Sequence, residues 1–285
     1  WRQLVPQRLF GIGRLINRFI APMPFIRKLC VRSYLVARSS QITPMDNPSA
    51  TVVIPCRNEK GNVQPAVDRV PTFCDDIEIL FVEGGSSDGA WEEIERVIEA
   101  RPDLDIKALK QHGKGKGDAV RAGFDAARGD ILMIQDADLT APPEDLPKFY
   151  NALVHRRGEF INGTRLVYPM DSEAMRFLNL VANNLFSLTF TWLLNQRFTD
   201  TLCGTKVLTA AHYRKIAENR AYFGEFDPFG DFDLILGAAR LNMKVQEIPV
   251  RYRAREYGST QISRFRHGLM LIRMTIFAFL KLKAI

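Results

Sequence analysis

Asp130-Ile131-Leu132-Met133-Ile134-Gln135-Asp136-Ala137-Asp138-Leu139 is the stretch on which the rest of the chain hangs. Ile131 to Ile134 is an apolar run of strand length, opened by Gly129-Asp130 and closed by polar residues. Asp136 and Asp138 stand two apart, so in an extended chain both carboxylates point to one side. Two hard oxygen ligands at a strand end suit Mg²⁺ or Mn²⁺ bridging a diphosphate. An isolated Asp-x-Asp is more often a turn or a helix N-cap. Here the strand before it and the segments around it favour the ligand reading, because open α/β sheets bind ligands outside the carboxyl ends of their strands.

Upstream, Ala50-Thr51-Val52-Val53-Ile54-Pro55 reads as a buried strand, followed by Cys56-Arg57-Asn58-Glu59 and a helix through Val70. Glu78-Ile79-Leu80-Phe81-Val82 is a second strand that runs into Glu83-Gly84-Gly85-Ser86-Ser87-Asp88-Gly89. Ser86 or Ser87 can cap the next helix, whose apolar face carries Trp91, Ile94, Val97 and Ile98. Asp105 to Leu109 is a third strand, a further helix starts near Gly117, and the Asp-x-Asp strand is the fourth. Strands alternating with helices of this length imply βαβ units and a parallel sheet. Right-handed crossovers bring every carboxyl end to one edge. Residues 55–59, 83–88 and 136–138 therefore converge. Lys114-Gly115-Lys116-Gly117 opens a helix with two cations and suits a diphosphate, or else is a solvated basic turn. There is no G-x-x-x-x-G-K-[ST] and no G-x-G-x-x-G after the first strand, which argues against P-loop and dinucleotide folds.

The chain has 285 residues, 46% hydrophobic and 25% charged, enough for one α/β domain with a small appendage. The net charge of +7 favours an acidic partner: a phosphorylated substrate, an anionic membrane surface or nucleic acid. No nucleic-acid-binding module is recognisable, so nucleic acid is not an expected partner. Cys30, Cys56, Cys74 and Cys203 form no C-x-x-C pair, which argues against a zinc site or a disulfide framework. The chain opens on Trp1 and not on Met, compatible with a piece of something longer.

Several segments in order carry a resemblance. They are 53–59 (VIPCRNE), 83–89 (EGGSSDG), 113–117 (GKGKG), Asp136-Ala137-Asp138-Leu139 with Pro142-Pro143, Gly163-Thr164-Arg165 and 200–206 (DTLCGTK). Together, over about residues 50–265, they resemble the family-2 inverting glycosyltransferases of GT-A fold, most of all the dolichyl- and polyprenyl-phosphate sugar synthases. The resemblance implies an α/β, mixed and mainly parallel sheet with helices on both faces, plus interfacial amphipathic helices. It implies that Pro55, Asn58, Glu59, Glu83, Ser86 and Asp88 hold the nucleoside of a GDP- or UDP-sugar donor. Asp136 and Asp138 would take the metal and the donor diphosphate, with Lys116 and Arg264 neutralising the leaving group. Arg165 and Arg176 would meet an acceptor phosphate. Asp138, Arg165 and Asp231 would be the catalytic set. Where the family commonly has Asp, this chain has Glu83. Where many polyprenol-type members have a Gln ligand, it has Thr140. The Q-x-x-R-W of processive synthases is absent.

The flanks suit a lipid. Residues 1–45 hold eight Arg and Lys and no acid, interleaved with Leu4, Leu9, Phe10, Ile12, Leu15, Ile16, Phe19 and Ile20. This is either a membrane-surface helix or a helix packed on its neighbour. Phe177 to Gln196 is uncharged, but Asn179, Asn183, Ser187 and Thr191 recur every fourth residue, which fits an interfacial helix better than a spanning one. Residues 259–267 read as a basic loop and 268–285 as an apolar juxtamembrane helix too interrupted to span. The expected organisation is a basic segment and linker over 1–48, a catalytic domain over 49–265 and a juxtamembrane helix over 266–285. The expected place is the cytoplasmic face of a membrane, peripheral or anchored. A phosphate acceptor is already an anionic nucleophile. A hydroxyl acceptor needs a base, for which Asp231 stands ready. A non-catalytic module binding nucleotide-sugar or membrane is the reading from another class.

Overall fold

The computed structural model describes residues 3–32, 35–39, 43–168, 177–222, 232–255, 257–258 and 264–283, without the side chains of 10, 177–183 and 264–268. It divides into a larger unit, residues 42–187 and 199–260, and a smaller one, residues 1–41, 188–198 and 261–285.

In the larger unit β-branched and apolar runs make the strands. They are β1 (Ala50–Cys56), β2 (Ile77–Glu83), β3 (Asp105–Lys110), β4 (Ile131–Ile134), β5 (Phe160–Thr164), β6 (Lys206–Thr209) and β7 (Val245–Pro249). Between them run α1 (Lys60–Asp68), α2 (Ala90–Ala100), α3 (Lys116–Ala126), α4 (Leu146–Val154), α5 (Phe177–Leu194), whose residues from Leu188 on belong to the smaller unit, α6 (Ala210–Glu218) and α7 (Phe232–Arg240). The sheet order is β3-β2-β1-β4-β6-β5-β7. Only β6 runs against its neighbours, so the sheet is mixed and mainly parallel, as expected. The register aligns Cys56 with Glu83 and Glu83 with Lys110, which sets the carboxyl ends of β1, β2 and β3 level.

Alternation divides each central strand between two faces. Val52, Ile54, Ile79, Phe81, Ile131 and Met133 pack with Val63 and Val67 of α1, Ile94 and Val97 of α2, and Phe149 and Leu153 of α4. Val53 and Val82 point the other way, to α3. There Gly123 lets the helix come so near that an added Cβ would lie 2.4 Å from Val53 Cγ1. At the opposite edge from the expected site, the buried Glu78 ties the strands together. It accepts from Thr51 Oγ1 (2.6 Å), Lys107 Nζ (2.8 Å) and the Arg128 amide (3.1 Å). Burial opposes its ionisation, and these three donors outweigh burial, so its pKa lies below the ordinary glutamate value.

The smaller unit is built on aromatic contacts and on α8 (Arg264–Leu282). Trp192 stacks on Phe279 at 5.7 Å and donates through Nε1 to the Pro22 carbonyl. Arg27 and Lys283 both donate to Asn195 Oδ1. One expectation changes here. The last helix starts at Arg264, so Arg264 and Arg266 lie on its first turn and not in a loop; none of Arg, Phe or His breaks a helix. Of the polar stripe of α5, the two described side chains bond locally: Ser187 Oγ donates to the Asn184 carbonyl, and Thr191 Oγ1 bonds both the amide and the carbonyl of Phe198. It is the apolar Leu185 and Leu188 that are exposed, at 65% and 69%. On α8, Met274 and Ala278 are buried, while Leu269, Ile272, Ile276 and Leu280 lie exposed along one stripe at helical spacing. Among the described residues no helix is long and apolar enough to cross a membrane.

Candidate active site

Four loops leave the carboxyl edge of the parallel half, and hydrogen bonds knit them. After β1 the backbone of Asn58 is left-handed (φ 55°). Its amide donates to Ser86 Oγ (2.9 Å), and its Oδ1 accepts from the Ser87 amide (2.8 Å). Asp88 accepts from the Lys60 amide and, through its other oxygen, from the Ala90 amide, so one carboxylate caps α1 and α2 together. The longer side chain at Glu83 is used locally. It is buried and turns back to accept from the Ser86 amide. Burial opposes its charge, but the hydroxyl and amide of Ser86 and the amide of Gly85 hold its pKa below the ordinary value. Pro55 is half-buried at the start of the same rim.

The Asp-x-Asp loop is fixed from below. The buried Gln135 donates from Nε2 to the Ala141 carbonyl (2.7 Å). Leu139 adopts a left-handed conformation (φ 55°), which turns the chain so that the Thr140 amide (3.1 Å) and hydroxyl (2.8 Å) reach Asp138 Oδ1. The other oxygen, Oδ2, accepts from Arg255 Nη2 at 2.6 Å. Arg255 Nη1 donates to Glu59 Oε1, also at 2.6 Å. Burial pushes the Glu59 pKa up, and Arg255 and Asn62 act against that. Asp136 pairs with Lys116 Nζ at 2.6 Å. Burial disfavours its charge, but Lys116, then Lys206 and Arg165, outweigh burial and hold its pKa below the ordinary aspartate value. Gly204 stands against the same carboxylate, where a Cβ would fall 2.0 Å from Oδ2. A cleft of about 200 Å³ opens beside Asp138, lined by Gly61, Asn62, Leu139, Arg253 and Tyr257 among others.

Arg165, at the end of β5, makes a two-pronged pair with Asp200: Nε to Oδ2 at 2.6 Å and Nη2 to Oδ1 at 2.9 Å. Asp200 is fully buried. Burial works against its charge, and the Arg165 guanidinium overcomes it, placing the Asp200 pKa below the ordinary value. Lys206 is also fully buried and donates to the Cys203 carbonyl. The structure thus brings together Asn58, Glu59, Glu83, Ser86, Asp88, Lys116, Asp136, Asp138 and Arg165. Arg176, Asp231 and the Arg264 side chain lie outside the described residues. Asp200, Lys206 and Gly204 lay in a segment recognised as a motif, but their partners were not legible there. Arg255 belonged to no expected site. A signal for it exists in Arg251-Tyr252-Arg253-Ala254-Arg255, three cations at spacing two after a strand.

Residues 51–220 match the family model described as Glycosyl transferase family 2. The chain belongs to that family. Among curated relatives in it, an undecaprenyl-phosphate 4-deoxy-4-formamido-L-arabinose transferase of Sodalis glossinidius is 27% identical over 226 residues, 78% of this chain and 65% of the relative. One of the same description from Aeromonas hydrophila subsp. hydrophila is 33% identical over 126 residues, 43% of this chain and 38% of the relative. The chain spans less than two thirds of the length of these relatives. Among solved structures, the glucosyl-3-phosphoglycerate synthase of Mycobacterium tuberculosis, in complex with Mn²⁺, UDP and glucosyl-3-phosphoglycerate, superposes with a TM-score of 0.58 at 16% identity, over 84% of this chain and 81% of that one. The fold is the GT-A fold that the family motifs implied.

Proposed function

We propose that the chain is a glycosyltransferase that moves a sugar, with inversion, from a GDP- or UDP-sugar to a polyprenyl phosphate at a membrane surface. The observation that carries this reading is the Asp-x-Asp pair at the sheet edge, set among Lys116, Lys206 and Arg165 and next to the loops of Glu59 and Asp88. Cations around an acid are a place for phosphate as well as for metal. The names of the curated relatives support a polyprenyl-phosphate acceptor.

The residues present fit a divalent ion. Asp136 and Asp138 are hard oxygen donors, and Mg²⁺-like ions commonly take one or two carboxylates and complete their shell with substrate phosphates and water. The missing side chain at Gly204 leaves room for the Asp136 carboxylate itself. When bound there, Mg²⁺ or Mn²⁺ supplies Lewis-acid stabilisation of the leaving diphosphate, of the order of several kcal/mol. The protein's own groups do the rest. Asn58, Ser86 and Asp88 set the nucleoside rim, Thr140 fixes the orientation of Asp138, and Lys116 offers an ammonium to the departing phosphate. Arg165, held in place by Asp200, aims fixed positive charge at the acceptor side. An acceptor phosphate is already anionic at pH 7, so it is positioned by cations and needs no general base.

The smaller unit is the proposed lipid-facing part. It carries 14 of the 39 Lys and Arg and none of the 32 Asp and Glu, which leaves the larger unit with 25 cations against 32 anions. A net +14 beside exposed apolar side chains on α8 and on residues 12–29 suits an anionic bilayer surface. We place the chain at the cytoplasmic face.

The test is transfer of radiolabelled sugar from a panel of GDP- and UDP-sugars to undecaprenyl phosphate, with Mn²⁺, with EDTA, and with Asp138→Ala. Metal-dependent label in the lipid phase, lost in the variant, is expected. Metal-dependent hydrolysis of the donor without lipid label would overturn the acceptor and direct attention to a hydroxyl acceptor with Asp231 as base. Neither signal from a folded protein would favour a binding module.

A further inference from the structure

We propose that Arg255 is a latch that competes with the divalent cation for Asp138. The inference rests on the reading of Asp138 as a metal ligand given above. The Arg255 guanidinium forks between two acids from separate motifs, Glu59 Oε1 and Asp138 Oδ2, at 2.6 Å each. The remaining oxygen of each acid already has a donor. Asn62 Nδ2 serves Glu59 Oε2 (2.6 Å), and Thr140 serves Asp138 Oδ1. Asp138 therefore has one oxygen that orients it and one that a cation takes, and the cation on it is Arg255.

A divalent ion cannot share the second oxygen with the guanidinium on equal terms. Two like charges at contact distance repel strongly in a half-buried site, where the pair is 25% and 17% exposed. For Asp138 Oδ2 to serve a divalent ion, Arg255 Nη2 would have to let go of it. The fork also neutralises two carboxylates from separate loops, Glu59 and Asp138. The segment carrying Arg255 has further anchors that persist after release. The Arg253 amide donates to the Thr140 carbonyl (2.9 Å), and the Tyr257 ring lies on Gly61, where a Cβ would come within 2.6 Å of it. Arg255 is thus a positioning residue that sets how readily Asp138 accepts an ion.

The experiment is nucleotide-free titration of the full chain with Mn²⁺, read from the electron paramagnetic resonance signal of the free aqueous ion. Wild type is compared with Arg255→Gln, Arg255→Lys, Asp138→Asn and the Arg255→Gln/Asp138→Asn double variant. Arg255→Gln is expected to tighten Mn²⁺ binding about tenfold, the size of one charge-assisted hydrogen bond removed from the competing side. Arg255→Lys, which keeps the charge and one contact, falls between, and both chains with Asp138→Asn lose the site. A second readout guards against misfolding: the rise in Tm on adding Mn²⁺ is larger in Arg255→Gln than in wild type, because the ion restores neutrality to two unpaired acids. Binding that depends on Asp138 but is unchanged or weakened by Arg255→Gln overturns the latch and leaves the metal reading standing. Binding indifferent to Asp138 in both backgrounds, or no binding at all either without UDP or with it, overturns both.

Discussion

Gly204 shows what one missing side chain does for the site. An added methyl would sit 2.0 Å from Asp136 Oδ2, with no flexible end to give way except the carboxylate itself. Gly204→Ala is expected to lower kcat/KM for sugar transfer by about 100-fold, the scale set by an ångström of misplacement, while thermal denaturation shows a folded protein. An unaltered rate would mean that Asp136 does not need its present position. Asp200 tests stability at the same scale. It is fully buried and paired twice to Arg165, so Asp200→Asn leaves a buried guanidinium without its counter-charge. A loss of roughly 3 kcal/mol is expected from urea midpoints. Arg165 and Asp200 were both visible as motif residues, but sequence spacing does not report which acid meets which base across 35 residues of chain. Arg255 was further out of reach, since its two acids come from the first and fourth strands and only the folded sheet edge brings the three together.

The elements themselves were far easier to read. β1, β2 and β4 carry the apolar runs 52–54, 79–82 and 131–134 because both faces of the sheet are covered, and such runs are legible without any partner. What could not be read was the antiparallel placement of β6 between β4 and β5, which depends on pairing and not on local pattern. The boundary of α8 was missed by four residues because nothing in Arg264 to His267 marks a helix start. The same holds for Glu78, which looks in the sequence like an ordinary strand-end acid and is in fact the buried tie among β1, β3 and the loop before β4. Its folded pKa lies below its unfolded value near 4.5. Its stabilisation is therefore complete above that pH and is lost as pH falls through the folded value. Tm measured from pH 7 down to about pH 3 is expected to fall in wild type, and to start lower but fall less steeply in Glu78→Gln. Parallel curves would show that other carboxylates govern acid unfolding.

For the whole molecule, the net charge of +7 is the sum over two units of opposite sign. Flotation with phosphatidylglycerol vesicles is expected to capture the chain at low salt, and phosphatidylcholine vesicles to capture much less. Most of the difference should disappear by about 0.5 M NaCl, where charges are screened within several ångströms. Replacing Leu269, Ile272 and Ile276 by Ser should remove the part of binding that salt leaves. Equal capture by both lipids would sink the proposed anionic surface. The same partition governs how copies of the protein treat one another in solution. A unit at +14 on one molecule attracts a unit at −7 on the next, so a dilute low-salt solution is expected to turn cloudy by association of unlike units and to clear when salt is added, the reverse of ordinary salting-out.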